Sequence, residues 1–181
     1  LDLMLRAPFR LCREALTAFG DTATIVNVSS TYSLVGGLRG GAYSAAKGGL
    51  NALTLHMAAQ YGSSGVRSNA VAPFAWTRMV SSIPTDTPEQ QKRVEGLKKL
   101  VPEKVAALCV ALCSDAAKDV TGQVFGSRNN EIYLFSQPRP VRSLHRGDGW
   151  TAESIAEMAS AFRPHLTPLE RSADVISWDP V

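Results

Sequence analysis

Two short runs constrain this chain most: Thr24 to Val28 (TIVNV) and Val66 to Ala72 (VRSNAVA), each suited to a buried strand and separated by one long helical pattern. A strand, a crossover helix and a second strand pack as parallel neighbours through a right-handed connection. The helical pattern covers residues 42–61 and carries Leu50, Leu53, Thr54, Met57 and Tyr61. Ahead of it, Leu5, Phe9, Leu11, Cys12, Ala15, Leu16 and Phe19 recur at helical spacing and stop at Gly20-Asp21. After it, Pro102 opens a helix with Val105, Leu108, Cys109, Leu112 and Cys113 on one face, and Gly122 to Phe125 reads as a third strand. The pattern predicts an α/β class with a doubly wound parallel sheet.

The connections are marked by turn chemistry. Gly36, Gly37, Gly40 and Gly41 make a flexible loop before the long helix, and Pro73 is expected to close the second strand. Gly48-Gly49 weakens that helix by about 1 kcal/mol per glycine relative to Ala, a cost that close packing on another helix would explain. Thr87-Pro88-Glu89-Gln90 has the form of a capping box with proline at the first helical position. Glu131 to Phe135 suggests a further strand and Pro138 to Arg146 a loop. Ile155, Met158, Ala159 and Phe162 form the expected buried face of a last helix, and the final SWDPV has no assignment.

Composition removes several classes. With 181 residues, 45% of them hydrophobic and 19% charged, the chain can build a real core and is not a disordered segment. No apolar run reaches the roughly 18 residues of a membrane span and no signal-peptide pattern is present, so a cytoplasmic protein is expected. Cys12, Cys109 and Cys113 lack zinc-site spacing and read as reduced core thiols, and no metal site is expected. His56, His145 and His165 are scattered, and Asn27-Val28-Ser29 fits a glycosylation sequon inside a buried strand. The net charge of +3 is modest. Arg139, Arg142, His145 and Arg146 form the locally basic segment: either a solvated loop or a phosphate contact, and nothing resembles a nucleic-acid motif.

The chemistry centres on Tyr43-Ser44-Ala45-Ala46-Lys47. Tyrosine and lysine four apart share one helix face, and an ammonium beside a phenol favours the phenolate. That brings a tyrosine from about 10 toward working pH, as a general acid/base for an alcohol requires. Ser30 precedes Tyr43 by thirteen positions and lies at the C-terminal end of a predicted parallel strand, where open α/β sheets place their ligands.

Three motifs in order, Asn27-Val28-Ser29-Ser30, Tyr43 to Lys47 and Asn69-Ala-Val-Ala-Pro73, resemble those of the short-chain dehydrogenase/reductase family, and the likeness runs from about Leu3 to Phe125. The resemblance implies a Rossmann-like sheet and reversible hydride transfer between nicotinamide and a secondary alcohol or ketone. It implies that Tyr43 exchanges a proton with the substrate oxygen, that Ser30 hydrogen-bonds that oxygen, and that Lys47 holds the nicotinamide ribose. Tyr43, Lys47, Pro73, Ala75 and Thr77 would meet the cofactor, NAD or NADP. Two positions depart from the pattern: Phe74 replaces the glycine usual after the proline, and Met4 stands where the tetrad asparagine is expected. Ala72 to Met79 (APFAWTRM), Pro102 to Ala106 and Cys113-Ser114-Asp115 are similar to the peroxisomal multifunctional branch, which implies a 3-hydroxyacyl-CoA or steroid substrate.

The family's opening strand and Gly-x-x-x-Gly-x-Gly turn do not occur in the chain. It opens on Leu1 in a helical pattern, so it is expected to continue an upstream half, and alone to be inactive. Residues 1–126 would be the C-terminal half of the dinucleotide-binding domain and 127–181 an extension. The resemblance also implies a homodimer or tetramer through helices at about 3–19 and 42–61. The competing reading is a truncated, non-catalytic fragment that serves as a binding or oligomerisation module, or one whose open sheet edge makes it aggregate.

Overall fold

In a computed structural model, which describes residues 1–35, 40–78 and 84–176, the predicted runs pair as neighbours. Strands β1 (Thr24–Val28), β2 (Arg67–Phe74), β3 (Val124–Arg128) and β4 (Glu131–Leu134) form one sheet in that order. β1 pairs in parallel with β2, Val28 opposite Val71, and β2 in parallel with β3, Phe74 opposite Arg128. The C-terminal ends of three strands therefore share one edge of the sheet. β4 returns antiparallel through a tight turn at Asn129, whose φ of 52 is one that asparagine tolerates.

The helices lie on both faces. α1 (Ala7–Phe19) precedes β1, α2 (Gly41–Tyr61) joins β1 to β2, and α3 (Pro88–Lys98) and α4 (Pro102–Cys113) precede β3. Val26 packs with the buried cluster of Val71, Leu108 and Leu112 under α4, while its neighbour Asn27 bonds Thr54 of α2. Adjacent strand residues point to opposite faces, so α4 and α2 cover the two sides, as a doubly wound sheet requires. The Thr87 capping box at the start of α3 is formed, with Gln90 as its return partner.

Two polar residues, the half-buried Arg67 and the buried Asn69, fasten the frame. Arg67 donates to the carbonyls of Leu112 (2.7 Å) and Ala117 (2.9 Å), and to those of Cys113 and Ser114 (3.3 Å each), a cationic cap on the end of α4. Asn69, 0% exposed, donates to Val120 O (2.8 Å) and accepts from Gln123 N (3.0 Å), locking the approach to β3.

Several sequence expectations need correction. β2 does not close at Pro73 but runs to Phe74. Ala70 N donates to β3's side of the strand, so by alternation the proline nitrogen faces β1's side, where β1 pairing has already ended and no donor is needed. The third strand is displaced to Val124–Arg128. The first helix begins as a π-helical turn over Asp2–Arg6. Cys113 is exposed rather than a core thiol, although all three cysteines are free. Gly49 meets the expected close neighbour, since a Cβ there would lie 2.9 Å from Leu5 Cδ2.

The chain divides into two compact units, Leu1–Phe135 with the segment from Arg171, and Ser136–Glu170. Within the second, α5 (Ala152–Phe162) does not bury its expected face: Ile155 and Ala159 are exposed, and the buried residue is Ser154, part of its cap. So short a unit has little interior of its own. A four-residue helix, α6 (Ser172–Val175), follows. Gly36, Gly37 and Met79, and the final SWDPV, lie outside the described residues.

Candidate active site

β1 ends at Val28, and the chain turns through Ser29 and Ser30 into a 3-10 turn at Thr31–Ser33. Ser29 N donates to Val71 O (2.7 Å), extending the parallel ladder by one bond. Ser30 Oγ accepts the backbone N–H of Tyr32 (3.3 Å) as the cap of that turn. A hydroxyl whose oxygen accepts still holds its own hydrogen to give, and among the described residues nothing takes it up.

α2 starts beside this turn and presents a polar stripe at i, i+4, i+7 spacing to the turn and to β1. Lys47 Nζ donates to Val28 O (2.6 Å), Asn51 Nδ2 to Ser33 Oγ (2.8 Å), and Thr54 Oγ1 accepts from Asn27 Nδ2 (3.0 Å). The bond to Val28 O places Lys47 at the C-terminal edge of the sheet. Partial burial pushes its ammonium pKa below the ordinary lysine value. The same ammonium stands 5.9 Å from the centre of the Tyr43 ring, one helical turn earlier. Tyr43 is 38% exposed and its ring meets Tyr32 edge-to-face, centroids 6.3 Å apart. The arrangement offers a reachable phenol, an adjacent ammonium and a donating hydroxyl at one sheet edge.

Pro73, Ala75 and Thr77 leave the same edge from the neighbouring strand. Pro73 and Ala75 are half-buried and Thr77 is exposed. Trp76 N donates to Leu100 O (2.6 Å), which pins the segment between them. Phe74, in the place of the usual glycine, is the last paired residue of β2. Met4 lines a groove of about 500 Å³ together with Asn27, Val28 and Lys47, so the π-helical turn brings it to the lysine side of the site.

The basic candidates of the sequence belong to the second unit. Arg139 folds back on Pro138 O and Gln137, and Arg146 pairs with Glu157 (2.7 Å) beside the Trp150 ring, all inside the second unit. Among the described residues no cluster of His, Cys, Asp or Glu could hold a metal ion, and no helix is long and apolar enough to cross a membrane. The sequence reading missed Ser33, Asn51 and Tyr32. Asn51 was open to detection, being four past Lys47 and eight past Tyr43, whereas nothing in the sequence marks Tyr32.

Residues 1–127 match the family model described as Enoyl-(Acyl carrier protein) reductase. A crystal structure of a short chain dehydrogenase from Mycobacterium avium superposes with a TM-score of 0.66 at 31% identity, covering 87% of this chain and 51% of that one. The chain belongs to the short-chain dehydrogenase/reductase family. Hydroxyacyl-CoA dehydrogenase ChsB1 of Mycobacterium tuberculosis is 34% identical over 172 residues, 90% of this chain and 53% of that protein. A 4-hydroxyisoleucine dehydrogenase complexed with NADH and succinate has a TM-score of 0.55 at 28% identity, covering 71% of this chain and 55% of that one. This short-chain dehydrogenase/reductase chain spans about half the length of the curated relatives it matches. Its sheet and helices are part of a Rossmann-like fold.

Proposed function

We propose that Ser30, Tyr43 and Lys47 are the catalytic residues of an NAD- or NADP-dependent oxidoreductase acting on a secondary alcohol or its ketone. The observation that carries this is their convergence: Lys47 is fixed on Val28 O, 5.9 Å from the Tyr43 ring, at the strand end that holds Ser30. The donor set suits the nicotinamide end of such a cofactor. Lys47 has ammonium hydrogens beyond the one given to Val28 O, enough for a ribose hydroxyl, and Tyr43, Pro73, Ala75 and Thr77 line the same edge. When bound, the nicotinamide supplies hydride to the carbonyl carbon or takes it from the alcohol.

The chain's own residues handle the oxygen. During reduction the Tyr43 hydroxyl gives its proton to the oxygen as negative charge develops there, and the Ser30 hydroxyl donates a hydrogen bond to the same atom. The Lys47 charge opposes the negative charge left on the phenol. Oxidation runs the same transfers backward, the phenol oxygen taking the alcohol proton.

Within this reading the substrate is a 3-hydroxyacyl-CoA or a steroid, supported by the long match to a hydroxyacyl-CoA dehydrogenase. Residues 1–126 supply the catalytic half of the family domain and 127–181 an extension. The intact protein is a cytoplasmic homo-oligomer, in keeping with three free thiols. Its subunits meet through the Asp2–Arg6 turn with α1 and through α2, where Leu5, Phe9, Gly49, Ala52 and Leu53 line an apolar groove of about 670 Å³ that a second copy would fill. Met4 beside Lys47 favours a second reading, a non-catalytic module, because a thioether cannot hold a relay water as an amide does.

The test is titration of this chain, and of a version extended upstream, with NADH and NADPH while following nicotinamide fluorescence. Binding by the extended version alone is the expected result. No binding by either, with both folded, overturns the enzyme reading in favour of the second.

A further inference from the structure

Behind Ser30 lies a small, partly buried polar network that the proposed chemistry does not use. Asn51 Nδ2 donates to Ser33 Oγ (2.8 Å), and Ser33 Oγ donates onward to the carbonyl of Ser30. Ser33 Oγ also touches Ser29 Oγ (3.1 Å), which donates to the carbonyl of Lys47 (3.3 Å). The direction is fixed by proton count. The Ser33 hydroxyl has one hydrogen, and the Ser30 carbonyl takes it, so a donor is needed on the other side. An amide N–H is such a donor.

Asn51 is 7% exposed, and its other amide atom, Oδ1, is buried without a hydrogen-bond partner among the described residues. Burying an unpaired carbonyl oxygen costs stability, and an apolar side chain would fill the position without that cost. The residue thus carries a penalty for the sake of one bond. That bond ties the turn bearing Ser30 to the helix bearing Tyr43 and Lys47, two elements whose relative placement decides whether a substrate oxygen can meet both hydroxyls.

We propose that Asn51 is a positioning residue which, through Ser33, sets the Ser30 hydroxyl relative to the Tyr43-Lys47 pair. The inference rests on the functional reading above. In catalysis, small misplacements of such groups are expensive in rate while leaving much of the binding intact.

The experiment uses the version of the protein that binds NADH or NADPH, with a ketone substrate. Asn51→Leu removes the donor and the unpaired oxygen together, and Ser33→Ala cuts the same link from the other end. For each we expect kcat to fall about tenfold with KM changed less than about twofold, and a melting temperature for Asn51→Leu equal to or above that of the wild type. Ser33→Thr, which keeps the hydroxyl, should retain turnover. In a Ser30→Ala background, Asn51→Leu should lower kcat no further, because its route of action is already gone. An unchanged kcat in both single variants, or a full additional loss in the Ser30→Ala background, overturns the assignment. If Asn51→Leu fails to fold, the comparison of Ser33→Ala with Ser33→Thr decides in the same way. Wild-type protein that binds cofactor yet turns nothing over, or Ser30→Ala as active as wild type, is instead the failure of the underlying functional reading.

Discussion

Lys47 is the residue on which most of the local physics meets. Its ammonium is held on a backbone carbonyl, and its partial withdrawal from water disfavours the charged form. The folded chain therefore releases this proton at lower pH than the unfolded chain does. Below the lowered value the cost of holding the charge is fully present. As pH rises from that value to the ordinary lysine value of about 10.5, the unfolded state binds more protons and this residue's contribution to stability improves. In protein whose lysines are reductively methylated with 13C, one resonance should titrate below the rest and disappear in Lys47→Arg. A Lys47 resonance that titrates with the exposed lysines would contradict the placement. The placement of Ser30, Tyr43 and Lys47 was legible in the sequence, because four-residue spacing puts two side chains on one helix face and a β-branched run puts the third at a strand end, whereas the roles proposed for them come from the family resemblance. Asn51 could be placed on the same helix face by its spacing, but neither its partner nor Ser33 was legible, since a short polar residue in a turn gives no sign of which group it will hold.

At the scale of elements, the strands could be read from β-branched runs, but their ends could not. Pro73 looks like a terminator until the neighbour on its nitrogen side is known to have stopped. The face of α5 misled for a different reason: periodicity shows which residues share a face, not whether anything covers it. Two substitutions test the frame. Arg67→Met leaves the carbonyls at the end of α4 without their shared cation and should lower unfolding stability by about 2–3 kcal/mol, read from urea denaturation. Gly65 has φ +98, and a Cβ there would lie 2.8 Å from the Asp21 carbonyl oxygen. Gly65→Ala should therefore cost about 1–3 kcal/mol by the same measurement, since neither the backbone angle nor the backbone neighbour can yield cheaply.

For the molecule as a whole, the parallel pairing of β1, β2 and β3 and the two-sided covering followed from alternating strands and helices, whereas the antiparallel β4 and the separation of Ser136–Glu170 as its own unit had no counterpart in the hydrophobic pattern. The exposed apolar residues of α1, Phe9 at 54% among them, belong to the surface through which we propose that two copies meet. Phe9→Glu in the oligomer should shift the mass measured by light scattering toward the monomer without altering the far-UV spectrum; an unchanged mass would place the interface elsewhere. The central claim is that this sheet edge carries out hydride transfer, and label transfer tests it most directly. Cofactor-binding protein is supplied with nicotinamide deuterated at the transferable position and a ketone substrate, and the alcohol is analysed by mass spectrometry. The account predicts deuterium on the carbinol carbon with wild-type protein and a fall of at least about a hundredfold in its rate of appearance with Tyr43→Phe. No label in the alcohol, or equal rates with and without the Tyr43 hydroxyl, would contradict it.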